Sequence, residues 1–229
     1  LLTLPFAMIL MFGFGWLIYV VIIRRVIDKD MFTSLLATFG LSLLLQQVIN
    51  LIFGPEVQTV DPEFKIFTAF DDFVTIPSSK IISLLLAALL AIAVVLFMRN
   101  SRMGQSIRAT AQDPRAARVM GINTDRVYAF TFALNASICG AAGVLVAMIW
   151  VIQPFYGIVY SIRSFAIVTA SGLGNLPVVI GAGFGLGLVE QYTGIILGAE
   201  YQIASAVVLL LLVLMWRQLK LRQMREVVR

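Results

Sequence analysis

Long uninterrupted apolar runs constrain the fold of this chain more than any other feature. The first run, LLTLPFAMILMFGFGWLIYVVII at residues 1–23, contains no charged residue, and the aliphatic run at 80–98 contains only Lys80. A helix of about 20 residues spans the hydrocarbon core of a bilayer. Helices and closed barrels are the structures that satisfy their backbone hydrogen bonds there. The runs predict an all-α, polytopic transmembrane helix bundle.

The composition agrees with a membrane bundle and argues against several other classes. Of the 229 residues, 60% are hydrophobic and only 13% are charged, so a soluble domain could not hide the apolar surface. The chain has no histidine and one cysteine, Cys139, inside an apolar run, which argues against histidine catalysis, a disulfide and a metal site. The basic residues that give the chain a net charge of +5 lie beside apolar runs. They therefore predict contact with membrane lipid or a cytoplasmic partner and not with nucleic acid.

Seven membrane segments are predicted. They cover residues 1–23, 33–53, 80–98, 127–150, 157–172, 178–198 and 203–216. The fifth is short for a full crossing, so we expect it to be tilted inside the bundle or only partly inserted. The first run has no charged leader, no cleavage site and no initiating methionine, so we expect a chain that lacks its true N-terminus and not a signal peptide.

The distribution of charge predicts the orientation. Residues 99–126 contain six arginines and two acids, and residues 217–229 contain five basic residues and one acid. Basic connections lie on the cytoplasmic side. Residues 54–79 contain five acids and one lysine, which fits a periplasmic loop. We therefore expect one transmembrane domain over residues 1–229, with its C-terminal tail in the cytoplasm.

A short helix is predicted inside the basic interval 99–126. Asp113 followed by Pro114 is typical of an N-cap and first helical position, and Gly121 can end the helix in a left-handed conformation. Arg115 and Arg118 share one face of this helix, and Ala117 and Met120 share another. Asn123 and Asp125 offer caps for the next helix. A helix of about two turns is unstable alone, so we expect it to dock on something.

The same interval resembles a known family. RATAQDP at residues 108–114, followed by Ala116, Ala117 and GINTDR at 121–126, is similar to the cytoplasmic loop of bacterial ABC-importer permeases of the branched-chain amino acid family. The spacing of two alanines, three residues and a glycine is similar to the loop of importer permeases at large, but Arg115 stands where that loop has glutamate. The glycine-rich turn and helix at 172–198, which carries an acid, resembles the family more loosely.

The resemblance implies a coupling helix that sits in a groove of a separate ATPase subunit. The coupling residues that it implies are Arg108, Asp113, Pro114, Arg115, Ala116, Ala117, Arg118 and Gly121. It also implies a second permease subunit, two cytoplasmic ATPase subunits that bind ATP, a periplasmic solute-binding protein, and a place in the bacterial inner membrane. The sequence contains no G-x-x-x-x-G-K-[ST] loop, so ATP binding is assigned to the partners.

Two alternatives stay open at this point. A permease for urea or short amides would have a similar sequence, because specificity in such importers resembles a property of the binding protein. A stand-alone channel or secondary transporter is the alternative from another class, although membrane segments with so little charge do not favour it. A membrane-bound enzyme has no nucleophile with an adjacent base to support it.

Polar side chains within the apolar runs are candidates for the translocation path. Residues 34, 38, 42, 46 and 50 form a polar stripe on the second segment, and the spans after residue 127 contain further polar groups. Such side chains either bond to neighbouring helices or line a path. We expect Arg163 to lie near the outer interface or to face inward, and Glu190 to be neutral or bonded to a donor from another helix. The path candidates are Gln46, Asn50, Asn135, Ser137, Arg163 and Glu190.

Small residues predict where helices approach closely. Ala136, Gly140, Gly143 and Ala147 recur at steps of four, three and four on the fourth segment. The sixth segment has glycine pairs at 181/185, 183/187 and 194/198. Because small residues let another backbone come near, we expect the sixth segment in the middle of the packing.

Overall fold

The computed structural model of this chain describes residues 3–26, 30–56, 66–69, 74–172 and 176–227. The chain divides into two compact units, Leu1–Gln153 and Pro154–Arg229. In the first unit, α1 (Thr3–Ile18) runs through a π-helical turn (Tyr19–Ile23) into α2 (Arg24–Val26), and α3 (Met31–Phe53), β1 (Ile66–Ala69), β2 (Val74–Pro77), α4 (Ser78–Asn100), α5 (Arg102–Gln112), α6 (Pro114–Val119) and α7 (Thr124–Ala147) follow. The second unit contains α8 (Tyr156–Ser171), α9 (Leu176–Ile196) and α10 (Tyr201–Val227).

The prediction of an all-α membrane bundle is confirmed. Within the described residues, five helical stretches are long and apolar enough to cross a membrane: Thr3–Val26, Phe32–Phe53, Ser78–Asn100, Thr124–Ala147 and Pro177–Ile196. The last predicted segment corresponds to the shorter apolar stretch Tyr201–Met215. The fifth corresponds to α8, whose 16 residues reach about 24 Å, less than the roughly 30 Å of the hydrocarbon core.

Two features differ from the sequence-based expectations. The loop at 54–79 contains an antiparallel hairpin in which Ile66 pairs with Pro77 and Thr68 with Thr75. The β-branched residues of these short strands, with Phe67 in the first, favour extended backbone. In addition, the basic tail continues α10 as one helix of 27 residues as far as Val227. The acids Asp61, Glu63, Asp71 and Asp72 of the loop at 54–79 lie outside the described residues.

Close packing of α1 on α7 organises the first unit. A Cβ built on Gly15 would lie 2.5 Å from the Cβ of Ala136, and one built on Gly140 would lie 2.7 Å from Cγ of Met11. The helices therefore approach through the small residues that the sequence singled out at 136 and 140. The prediction is wrong at Gly143, which is exposed and has no described atom within 4 Å of an added Cβ. The buried face of α7 runs instead through residues 133, 137, 141 and 145.

Aromatic rings connect α7 to two other helices. The Phe130 ring lies 5.6 Å from the Phe12 ring of α1 and 5.9 Å from the Phe97 ring of α4, measured between centroids. The π-helical turn after α1 carries Tyr19, which is only 3% exposed and lies 6.2 Å from the Phe132 ring. By contrast, none of the α3 residues whose side chains are described is buried. The core of this unit is thus built around α7.

Each of the three helices of the second unit has one buried apolar residue among those described. Ala166 of α8, Leu186 of α9 and Ala206 of α10 are 0%, 4% and 0% exposed. Gly194 of α9 gives room to the Gln202 side chain of α10. The expectation that glycines of α9 face other helices is met at only some positions. An added Cβ on Gly183 would lie 3.8 Å from Cδ1 of Ile167 in α8, whereas at the glycines 181, 185 and 187 it would meet no described atom within 4 Å.

The contact of Gly15 with α7 predicts a stability difference between two glycines of the same helix. Gly15→Leu should destabilise the first unit by about 1–3 kcal/mol, because the side chain has no room against Ala136 and the helices must separate. Gly13→Leu is the matched control, since an added Cβ there meets no described atom within 4 Å. The thermal unfolding midpoint of the detergent-solubilised protein measures both. Equal midpoints for the two variants would contradict the close approach of α1 and α7.

Candidate functional site

The loop between α4 and α7 begins with a helix that folds back on the end of α4. Ser101 caps α5, and its Oγ accepts a hydrogen bond of 2.8 Å from the Gly104 amide. A Cβ on Gly104 would lie 2.5 Å from the carbonyl oxygen of Met98, so only glycine allows this approach. The Arg108 guanidinium donates to the same carbonyl. Because the last carbonyls of a helix lack partners within it, Arg108 satisfies one of them and fixes α5 against α4.

Helix α6 is bounded by the residues that the sequence predicts. The Asp113 carboxylate accepts hydrogen bonds from the amides of Arg115 (2.8 Å) and Ala116 (3.1 Å), and Pro114 is the first helical residue. At the other end Gly121 has φ +83°, and the amide of Ile122 donates to the Ala117 carbonyl at 3.0 Å. These bonds satisfy both ends of a helix of only six residues.

Contacts within the chain dock one side of α6 on the start of α7. Ala117 is 4% exposed, and Arg118 Nε donates to Thr124 Oγ1 at 2.6 Å. Arg118 Nη2 also lies 3.8 Å from the Asp125 carboxylate, but this exposed pair adds little. Asn123 caps α7 by accepting from the Arg126 amide at 3.1 Å. The predicted docking partner of the short helix is therefore, in part, its own chain.

The face that α6 leaves open differs from the predicted apolar side. Met120, predicted to share a face with Ala117, is instead 81% exposed because it is the C-cap residue, where the chain turns out of the helix. Val119 beside it is 87% exposed. We define the α6 face as the exposed residues of this segment other than Arg118, which binds Thr124: Pro114, Arg115, Ala116, Val119 and Met120. It combines a cation with two adjacent apolar side chains on the surface of a basic loop.

The polar path candidates of the first unit are not gathered into one site. Asn135 of α7 is exposed, whereas Ser137, two residues further, is 5% exposed and faces α1 beside Pro5, Met8 and Phe12. Two residues on a helix point about 200° apart, which separates these side chains. Gln46 and Asn50 of α3 are half-buried. The buried Oδ1 of Asn50 has no hydrogen-bond partner among the described residues.

In the second unit the structure joins two of the candidates as an ion pair. Arg163 Nε of α8 lies 2.9 Å from Glu190 Oε1 of α9, and the side chains are 22% and 15% exposed. Both residues lie well inside their helices, seven residues after Tyr156 and six before Ile196. An unpaired arginine at the middle of a bilayer costs about 2.5–3.5 kcal/mol on the insertion scale, so each charge offsets the cost of the other.

The sequence named Arg163 and Glu190 separately and did not predict their pairing. The available signal was their opposite charge in two apolar segments joined by a short connection. Which residues of two helices face each other depends on how the helices cross, and residues far apart in the sequence set that crossing. Gly172, predicted in this connection, ends α8 with φ +77°, and residues 173–175 lie outside the described part. Among the described residues no cluster of acidic or thiol side chains could hold a metal ion.

Comparison with known proteins assigns the chain to a family. Residues 1–216 match the family described as "Branched-chain amino acid transport system / permease component". The chain is 31% identical to the high-affinity branched-chain amino acid transport system permease protein LivH of Salmonella typhimurium over 214 residues, which cover 91% of this chain and 70% of that protein. It is 29% identical to BraD, the corresponding permease protein of Pseudomonas aeruginosa, over 90% of this chain and 68% of that protein.

A more distant relative carries a different name. The autoinducer 2 import system permease protein LsrC of Yersinia pseudotuberculosis is 30% identical over 115 residues, which cover 48% of this chain and 33% of that protein. No solved structure matches the chain. The apolar helices and the relatives together make it a multi-pass protein of the cytoplasmic membrane. The chain belongs to the branched-chain amino acid transport system permease family.

Proposed function

We propose that this chain is the membrane-spanning permease subunit of an ATP-driven importer for branched-chain amino acids. The observation that carries the proposal is the family match over residues 1–216, together with relatives named as branched-chain amino acid permeases. The permease domain would extend over residues 1–229. Its coupling loop at 99–126 and tail at 217–229 would face the cytoplasm, and its loop at 54–79 would face the periplasm.

In this proposal the α6 face docks on a cytoplasmic ATPase subunit. Val119 and Met120 are exposed although they are apolar, and burying them against a partner removes that surface from water. Arg115 lies on the same face and can pair with an acid of the partner. Arg108, Asp113, Ala117, Arg118 and Gly121 act as positioning residues, since their contacts lie within the loop or on the ends of α4 and α7.

Docking transmits ATP-driven motion because α6 is attached to a membrane helix. Thr124, the partner of Arg118, is the first residue of α7, so a displaced α6 pulls on α7 directly. A partner shifts the equilibrium between outward and inward access only if its contacts with α6 differ between the two states. ATP is bound and hydrolysed by the partner subunits and not by this chain.

The remaining partners follow from the importer assignment. A second permease subunit, two ATPase subunits and a periplasmic solute-binding protein would complete the complex. Helix α3 supports a further membrane partner, since none of its described side chains is buried and Leu36, Phe39 and Leu43 are 62%, 63% and 51% exposed. Lipid or the second permease would cover this apolar helix.

ATP-dependent uptake of leucine tests the proposed function. The chain, its ATPase subunits and its second permease are reconstituted in proteoliposomes, with ATP inside and the leucine-loaded binding protein outside. We expect uptake that requires ATP and all subunits, and that excess urea or acetamide does not reduce. Uptake by this chain without ATPase subunits would indicate a stand-alone transporter, and urea uptake would indicate an amide permease.

Substitutions on the α6 face test the coupling role. Val119→Asp and Met120→Asp should each weaken co-purification of the ATPase subunits by at least about tenfold, equivalent to about 1.4 kcal/mol, because a charge would replace an apolar contact. The matched control is Gln105→Asp, which adds the same charge at an exposed position of α5. Membrane insertion and thermal midpoint of the isolated chain should stay unchanged in all three variants.

The coupling assignment also predicts which result would contradict it. If both aspartate variants retain ATPase subunits and ATP-driven uptake as the Gln105→Asp control does, α6 is not the docking element. If the Gln105→Asp control also loses the ATPase subunits, added negative charge anywhere on this basic loop disrupts assembly.

A further inference from the structure

The ion pair between Arg163 and Glu190 has no hydrogen bond between its two contact atoms. Arg163 Nε and Glu190 Oε1 lie 2.9 Å apart, yet the N–H group does not point along the direction that a hydrogen bond requires. Both atoms are buried and lack a hydrogen-bond partner among the described residues. A paired arginine and carboxylate more often form two parallel hydrogen bonds. This pair therefore leaves much of its bonding capacity unused.

The unused capacity is on the accessible part of the pair. The contact atoms Nε and Oε1 are themselves buried, so the exposed 22% of Arg163 and 15% of Glu190 belong to their other atoms. No hydrogen bond joins either Nη group or Oε2 to a described residue. The guanidinium can donate two parallel bonds from its outer edge, and the carboxylate can accept at least one more.

The ring of Tyr160 also holds the guanidinium of Arg163, even if Glu190 binds another group. Its Cζ atom lies 5.5 Å from the ring centroid of Tyr160, one turn earlier on α8. The face of an aromatic ring attracts a cation at this distance. Because Tyr160 and Arg163 belong to the same helix, the guanidinium remains in position whether or not the carboxylate of α9 stays in contact.

We propose that the Arg163–Glu190 pair is a binding site for the zwitterionic backbone of an amino acid. The Nη edge of Arg163 binds the substrate carboxylate, and the Glu190 carboxylate accepts hydrogen bonds from the substrate ammonium group. This proposal rests on the proposed function and assigns residues of this chain to the substrate's two charged groups. Tyr160 acts as a positioning residue for Arg163.

The charges explain why a zwitterion fits this pair. The pair and the zwitterion are each neutral overall, so exchanging one internal contact for two contacts with substrate leaves no charge unpaired. A carboxylate or an amine alone would add a net charge to the site, away from bulk water, where an unpaired charge is strongly disfavoured. Urea and simple amides carry no charge, so they would have to separate the pair without replacing either partner. The site thus selects amino acids over the amide alternative.

A competing explanation is that the ion pair only stabilises the packing of α8 against α9. Three variants at the pair and one control separate the two explanations, each in the complete importer reconstituted in proteoliposomes. Arg163→Lys keeps the ion pair but removes the guanidinium, which can donate two parallel hydrogen bonds to one carboxylate. The double variant Arg163→Glu/Glu190→Arg keeps the ion pair but reverses the charges, so an L-amino acid could bind only with its side chain turned to the other face. Glu200→Gln removes an exposed acid outside the site and is the matched control for Glu190→Gln.

The measurements are initial rates of leucine uptake, basal ATPase rate and thermal midpoint of the complex. We expect Arg163→Lys, Glu190→Gln and the charge-reversed variant to lower uptake at subsaturating leucine by at least about tenfold, the loss of one charge-assisted interaction. Arg163→Lys and the reversed variant should retain the wild-type midpoint and basal ATPase rate. Glu200→Gln should match wild type in all three measurements.

The outcomes that overturn the proposal are distinct from failure of the proposed function. If the initial rate of leucine uptake by the reversed variant or by Arg163→Lys lies within about twofold of the wild-type rate, the pair only holds α8 against α9. The proposed binding site is then excluded. If the reversed variant does not assemble, Arg163→Lys alone decides. If the wild-type complex itself takes up no leucine, the importer function fails before the site is tested.

Discussion

Water is absent from the middle of a bilayer, so each charged or hydrogen-bonding group there needs a partner within the protein. The helices satisfy this requirement for the backbone, and the ion pair of Arg163 with Glu190 balances the charges of two side chains. The same requirement explains how a helix as short as α8 can carry an arginine, because its charge is offset by α9 and by the ring of Tyr160. The second unit is therefore held together by a polar contact beside a small apolar core.

The first unit relies on close approach between helices. Lipid tails are as apolar as leucine, so helices in a membrane associate through packing contacts and not through escape from water. Gly15 and Gly140 allow α1 and α7 to touch along their backbones, and Phe130 adds ring contacts to α1 and α4. Glycine within a helix costs roughly 1 kcal/mol relative to alanine, and the close packing of α1 on α7 at these positions offsets that cost.

The position of the loop between α4 and α7 depends on that packing. Helix α7 begins at Thr124, whose hydroxyl accepts from Arg118, and the buried Ala117 completes the attachment of α6. The loop is also tied to α4 through Gly104 and Arg108. A six-residue helix could not persist alone, but capped ends and two attachments give it a fixed place. The order of this helix therefore comes largely from its own chain, and what the α6 face offers a partner is surface.

Local rules determined much of this structure from the sequence alone. Apolar runs located the membrane helices, and Asp113, Pro114 and Gly121 located both ends of α6, because these signals act within a few residues of backbone. Which faces meet was decided only by the tertiary structure. Gly140 meets α1 while Gly143 does not, and Arg163 meets Glu190 although nothing local joins them. Such pairings depend on how helices cross, and crossing is set by packing between residues far apart in the sequence.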